Sequence, residues 1–228
     1  MDILVLGDNQ RAEELMKRIP KQHHVQCSNN VNDASLPKFN LVFDLNFDND
    51  QHNLQYYSYN RQKVIIVGAV KTQLAEAISN FHGEVKCTLI GMNTLPGFID
   101  RNVMEVSFSQ AHCAQAMETV SADLNWDYQV VEDRVGMVSP RVLAMIINEA
   151  CYTLQEGTAT IDDIDVAMRL GTNYPYGPFE WADKIGIHHI YELLLSLYED
   201  TQDERYKICP LLKTKYLKRQ TFYATLAG

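Results

Sequence analysis

Short apolar runs recur through the first 108 residues. Between them lie stretches whose apolar positions fall three or four apart, the spacing of a helix with one buried face. Residues 3–7 (Ile-Leu-Val-Leu-Gly) make a β-rich run closed by glycine, and residues 9–19 carry Ala12, Leu15, Met16 and Ile19 at helical spacing. Strand-like runs follow at 24–27, 41–45, 64–68, 85–92 and 103–108, with helical patterns at 71–81 and 111–124. Continuous apolar strands alternating with helices are what a parallel sheet needs when helices cover both of its faces. Residues 1–132 are therefore expected to form a doubly wound α/β domain.

The pattern changes after about residue 133. Residues 141–155 place Val142, Met145, Ile146, Ala150 and Leu154 on one helical face. A second helix is expected over 161–170, with Thr160 as N-cap and Asp163 three positions on. Further helices are predicted at 179–185, 189–198 and 211–217, and no strand pattern is visible. Residues 133–228 read as an all-α domain.

Composition narrows the function. With 228 residues, 46% hydrophobic and 21% charged, the chain is an ordinary globular protein able to bury a core without staples. Its 20 basic and 29 acidic residues leave a net charge of -9, and no lysine–arginine cluster stands out. A nucleic-acid partner is not expected, because phosphate binding wants a basic face. The five cysteines, Cys27, Cys87, Cys113, Cys151 and Cys209, are spread out without a CxxC pair. That argues against a structural metal and for reduced thiols in the cytoplasm. The first residues lack the basic and apolar segments of a signal peptide, and no apolar run approaches the ~20 residues that span a bilayer.

A glycine-closed first strand followed by a helix is where a Rossmann-like domain carries its dinucleotide fingerprint. Here the turn reads Gly7-Asp8-Asn9-Gln10-Arg11-Ala12. Gly7 stands in the first glycine position and Ala12 is allowed in the last. Asn9 replaces the glycine that lets backbone approach the pyrophosphate. The acidic residue expected after the second strand is absent, and Asn29 is the nearest ribose candidate. These residues are the candidate NAD contacts, on a scaffold that has lost much of the fingerprint.

The C-terminal half resembles the L-3-hydroxyacyl-CoA dehydrogenases. The resemblance rests on the run from Ile161 through Asp165 to Gly171, continuing through Pro175-Tyr176-Gly177-Pro178-Phe179 to Asp183 and Gly186. Upstream, Asp133 to Gly136, Arg141, Asn148-Glu149-Ala150 and Glu156-Gly157 agree as well, and Thr221-Phe222-Tyr223 resembles the closing motif. It implies a Rossmann-like NAD domain followed by a helical domain that closes over acyl-CoA and forms a homodimer contact. Tyr176 and Asp183 nevertheless have a simple structural reading, since this proline- and glycine-rich link cannot continue a helix. Gly171 and Gly186 suit helix C-caps.

The family reaction oxidises a 3-hydroxyl to a ketone, passing hydride to NAD. A histidine takes the proton and a glutamate twelve residues later holds that histidine. The resemblance puts Glu105 in the glutamate's place and Asn93 in the histidine's. An amide is not a base at neutral pH, and losing a general base costs roughly 10²–10⁴ in rate. Pro96, Pro140 and Ala69 stand where the family has asparagine, asparagine and serine. The interval from Cys27 to Leu41 is too short for the family's CoA-holding helical insertion. None of the seven histidines falls on the catalytic position. Asp44 and Asp48, after the third strand, resemble the family's acidic pair and are the last cofactor-binding candidates.

Two readings follow. One is a divergent working dehydrogenase of fatty acid metabolism. The other, which these substitutions favour, is a non-catalytic relative: a dimeric scaffold or a module for an acyl-CoA or a smaller carbonyl ligand. A reductase acting on a smaller substrate is a third possibility, supported only by the shortened interval.

Overall fold

The computed structural model describes residues 1–31, 36–61 and 63–223. The chain divides into two compact units, Met1–Met137 and Val138–Gly228.

The first unit is built on one seven-stranded sheet: β1 (Asp2–Leu6), β2 (His24–Ser28), β3 (Leu41–Asp44), β4 (Val64–Gly68), β5 (Thr88–Met92), β6 (Val103–Phe108) and β7 (Asp127–Val130). The strand order is β2-β1-β3-β4-β5-β6-β7. β1 to β5 are mutually parallel. Period-2 alternation of wholly apolar strands fills both faces. Ile3, Val5, Phe43, Ile66 and Ile90 point to one side, and Leu4, Leu6, Val42, Ile65 and Leu89 to the other. The first face is covered by α1 (Asn9–Arg18) and α4 (Cys113–Leu124); the second takes the short α2 (Leu54–Tyr57) and α3 (Leu74–Asn80). The chain turns one way from β1 to β2 and the other way to β3, so the switch point lies at the carboxyl ends of β1 and β3.

The sheet departs from the expected pattern at its far end. β6 runs antiparallel to β5, and β7 pairs parallel with β6. β7 had no apolar run to announce it: it is an edge strand with Asp127, Gln129 and Val130 exposed. α3 begins at Leu74, later than periodicity predicts, because the amides of residues 70–72 serve a carboxylate instead of a helix. Residues 133–137 belong with the first unit. Asp133 receives the amides of Leu74 and Ala75, Gly136 donates to Val70, and Met137 packs in the core. The link between β2 and β3 carries only a 3-10 turn, Leu36–Lys38, among its described residues.

The second unit is helical throughout its described residues: α5 (Ser139–Gln155), α6 (Ile161–Thr172), α7 (Pro178–Ile185), α8 (Ile187–Thr201) and α9 (Pro210–Lys218). α5 is the central helix and touches all the others. Its buried residues are Pro140, Leu143, Ala144, Ile147, Asn148, Ala150 and Cys151, so only Ala150 of the stripe read from the sequence is buried, and Val142 is 52% exposed. The helix is apolar nearly all round, so its own spacing does not choose a face. Asn148 donates to the carbonyl of Lys207 and accepts from Cys209, tying α5 to the start of α9. Thr160 caps α6 by accepting the Asp163 amide. Gly171 lies inside α6, and Asn173 takes the left-handed cap (φ 55°) instead. Gly186 does cap α7, with φ 97°. One basic stretch also emerges: Lys213, Lys215, Lys218 and Arg219 lie on and after α9. Among the described residues, no helix is long and apolar enough to cross a membrane.

Candidate functional site

Three of the sequence-predicted residues belong to the turn between β1 and α1. Gly7 follows β1 in contact with the segment after β3: a Cβ there would stand 2.9 Å from the Leu45 Cβ. That contact alone explains the glycine. Asp8 is the N-cap of α1, its carboxylate accepting the Arg11 amide at 3.0 Å. Burial opposes ionisation of Asp8, but Arg11 and the cap hydrogen bond hold its carboxyl below the usual range. Asn9 is exposed at the first helical position, and Ala12 is buried in the core under β1. Asn29 lies exposed beyond the end of β2.

Arg11 was missed by the sequence reading. Its side chain is buried and lies across the switch point. The guanidinium donates to Asp8, to the carbonyl of Leu45 and to the side chain of Asn46. The available signal was an N-capping aspartate with arginine three residues on. A pyrophosphate at this helix end needs free amides and positive potential. It meets a carboxylate and a guanidinium already committed to the chain. These residues do not fit a dinucleotide pyrophosphate.

The acidic pair at and beyond the end of β3 is also engaged internally. Asp44 is fully buried and accepts from the Tyr57 hydroxyl at 2.8 Å, Asn53 at 2.9 Å and the Asn46 amide at 3.0 Å. Burial raises its carboxyl pKa against those donors. Asp48 accepts the amides of Val70, Lys71 and Thr72 at 2.9, 2.8 and 3.0 Å, which orders the turn after β4. Burial pushes its carboxyl up to about 6, against the amides and the Lys71 charge.

Asn93 and Glu105 come together across β5 and β6. Met92 pairs with Val106, so the next amide, that of Asn93, donates to the Glu105 carbonyl at 3.1 Å. Asn93 is 3% exposed, and its side-chain oxygen accepts the Leu95 amide at 3.3 Å. This is a local asparagine turn, the commonest structural use of an amide at a strand end. Glu105 is half-buried, close enough to Arg101 for its charge to oppose the desolvation that lowers that guanidinium's pKa.

In the helical unit the motif residues hold helix ends and chain crossings. Asp165 is 2% exposed on α6 and accepts the amides of Phe179 and Glu180 and the Tyr223 hydroxyl, at 2.8, 3.0 and 2.9 Å. Gly177 must be glycine, since a Cβ would lie 2.3 Å from the Asp165 Cβ. Glu180 completes this corner by accepting the Gly177 amide and pairing with Arg169. Asp183 accepts the amides of Phe222 and Tyr223, and Tyr176 meets Trp181 edge-on at 5.0 Å. Both have the structural roles that the proline-rich link suggested. Among the described residues no group of three or more metal-binding side chains occurs.

The chain thus combines a doubly wound α/β unit with an all-α unit. The family pattern "3-hydroxyacyl-CoA dehydrogenase, C-terminal domain" matches residues 136–227. The chain is 48% identical over 87 residues to 3-hydroxyadipyl-CoA dehydrogenase of Escherichia coli (strain K12), covering 38% of this chain and 18% of that protein. It is 39% identical over 104 residues to 3-hydroxybutyryl-CoA dehydrogenase of Bradyrhizobium diazoefficiens, covering 46% and 35%. These matched stretches are thus well under two thirds of either relative. The structure of (S)-3-hydroxybutyryl-CoA dehydrogenase from Ralstonia eutropha shares the fold over 98% of both chains, with a TM-score of 0.75 at 17% identity. Residues 136–227 are thus similar to the C-terminal domain of the 3-hydroxyacyl-CoA dehydrogenases.

Proposed function

We propose that this chain is a non-catalytic member of that family: a homodimeric binding module that does not carry out hydride transfer on 3-hydroxyacyl-CoA. The observation that carries the reading is the Asn93 amide, set where the resemblance expects the general base and bonded to its own loop at Leu95. An amide takes no proton from a hydroxyl at neutral pH. It still suits the ligand class expected here, an acyl-CoA or smaller carbonyl compound, because its N–H donates to a carbonyl oxygen. The competing reading, a divergent working dehydrogenase, is favoured by Glu105 beside Asn93. Assaying reduction of acetoacetyl-CoA with NADH separates the two. Absence of turnover supports the module, and turnover at the rate of an ordinary dehydrogenase overturns it.

We infer that the dimer contact lies on the helical unit. Val142 on α5 and Val166 and Leu170 on α6 are 52, 43 and 79% exposed, apolar side chains that a second copy would cover. Leu170→Glu is expected to shift the protein from dimer to monomer in sedimentation equilibrium while leaving its helical circular dichroism intact. A wild-type protein that sediments as a monomer removes this part of the reading. Five free cysteines, four of them buried, support a reducing cytoplasmic compartment.

A further inference from the structure

In a dinucleotide-binding unit, the first turn of the first helix presents amides and positive potential to the pyrophosphate. In this chain that end is met from within. The Asp8 carboxylate takes the cap position, where a phosphate oxygen would accept, and places a negative charge there. Arg11 neutralises it. From α1 the guanidinium reaches Nε to Asp8, one terminal nitrogen to the Leu45 carbonyl and the other to the Asn46 side chain. Its residue is 6% exposed, so the cation is enclosed by the groups it serves.

The partners matter as much as the bonds. Asp8 follows β1, and Leu45 and Asn46 follow β3. These are the two strand ends at the switch point, between which a dinucleotide lies in this class of sheet. We infer that the crevice is a self-filled nucleotide site: Asp8 stands in for the phosphate at the helix end, and Arg11 staples together the strand ends that a cofactor would bridge. The unit takes no dinucleotide pyrophosphate there and needs none to hold its shape. Swinging Arg11 out to admit a ligand would strip Asp8 and the Leu45 carbonyl of their donor and leave a carboxylate facing the incoming phosphates. Gly7, the one intact fingerprint glycine, is explained without a cofactor by its contact with Leu45.

A guanidinium is required because three acceptors lie in three directions. Lysine, a single point charge, cannot serve them together in that fixed fork. The inference stands apart from Asn93. It concerns binding, whereas the proposed function concerns proton transfer.

The test uses the full chain with two readouts, thermal unfolding and NADH fluorescence. Saturating NAD+ or NADH is expected to move the wild-type Tm by less than about 1 °C, where a ligand at a hundred times its Kd shifts a domain by several degrees. NADH fluorescence should show no saturable change. Arg11→Lys should lower the Tm by roughly 3 °C or more, because two of the three acceptors lose their donor. A saturable NADH signal with a Tm rise of several degrees overturns the inference, and so does an Arg11→Lys protein as stable as wild type. NADH binding without turnover sinks this inference alone and leaves the proposed function standing. Turnover with NADH sinks both.

Discussion

Alanine at Asp165 will destabilise the helical unit by about 3–4 kcal/mol, the largest single-residue effect expected in this chain. The carboxylate is buried and serves three donors: the Phe179 and Glu180 amides at the start of α7, and the Tyr223 hydroxyl. Removing it leaves two helix-end amides without their acceptor, the Phe179 amide in a buried place and the Glu180 amide in a part-buried one. Each buried donor so stranded costs about 1–3 kcal/mol, with more when the lost acceptor was charged. Asp165→Asn keeps one acceptor oxygen and should lose roughly half as much. Gly177→Ala attacks the same corner by sterics, driving a methyl into Asp165, and should cost about 1–3 kcal/mol as overpacking does. Urea unfolding followed by far-ultraviolet circular dichroism reads all three. A change below 1 kcal/mol for Asp165→Ala would contradict the structural role assigned to this motif.

Histidine at position 93 will not restore a dehydrogenase. Asn93→His supplies the missing base, and a base is worth roughly 10²–10⁴ in rate. Yet acetoacetyl-CoA reduction by the variant should remain at least about 100-fold below an ordinary family enzyme. Two further losses stand in the way. Pro96, Pro140 and Ala69 offer no side-chain donor or acceptor where the resemblance implies polar groups. Asp8 and Arg11 fill the place of the cofactor's pyrophosphate. The new ring must also enter a site where Asn93 is 3% exposed and bonded to Leu95, so some stability will be lost to overpacking. Steady-state kinetics on the refolded, circular-dichroism-checked variant decides the matter. Recovery to within tenfold of a typical relative would falsify the claim that more than the base has gone.

The fold was legible because its elements are dictated by local periodicity. Strands with apolar runs such as Val64–Gly68 and Leu41–Phe43 are the pattern of strands covered on both faces of a sheet. Thr160 and Asp163 announced the start of α6 within four residues. Edge elements carried no such signal: β7 is largely solvated, and α2 is four residues long. The antiparallel turn of β6 depends on which way its chain returns, which no apolar pattern records. α5 offered two apolar stripes, and packing against α6, α7, α8 and α9 selected Leu143, Ala144 and Ile147 over Val142.

The candidate site divides in the same way. The sequence by itself determined which side chains are available for chemistry. Asparagine at 93 is no base in any fold, and the resemblance paired it with Glu105 twelve residues on. It also determined that a proline- and glycine-rich corner joins α6 to α7. Only the tertiary structure decided what the remaining acids do. Asp44, Asp48 and Asp165 could each have faced a ligand, and each is turned onto the protein's own donors. It alone showed Arg11, whose acceptor at Leu45 lies 34 residues away along the chain. A hydrogen bond is won by whichever partner the fold brings within 3 Å, and that partner is chosen by strand order rather than by neighbours in sequence.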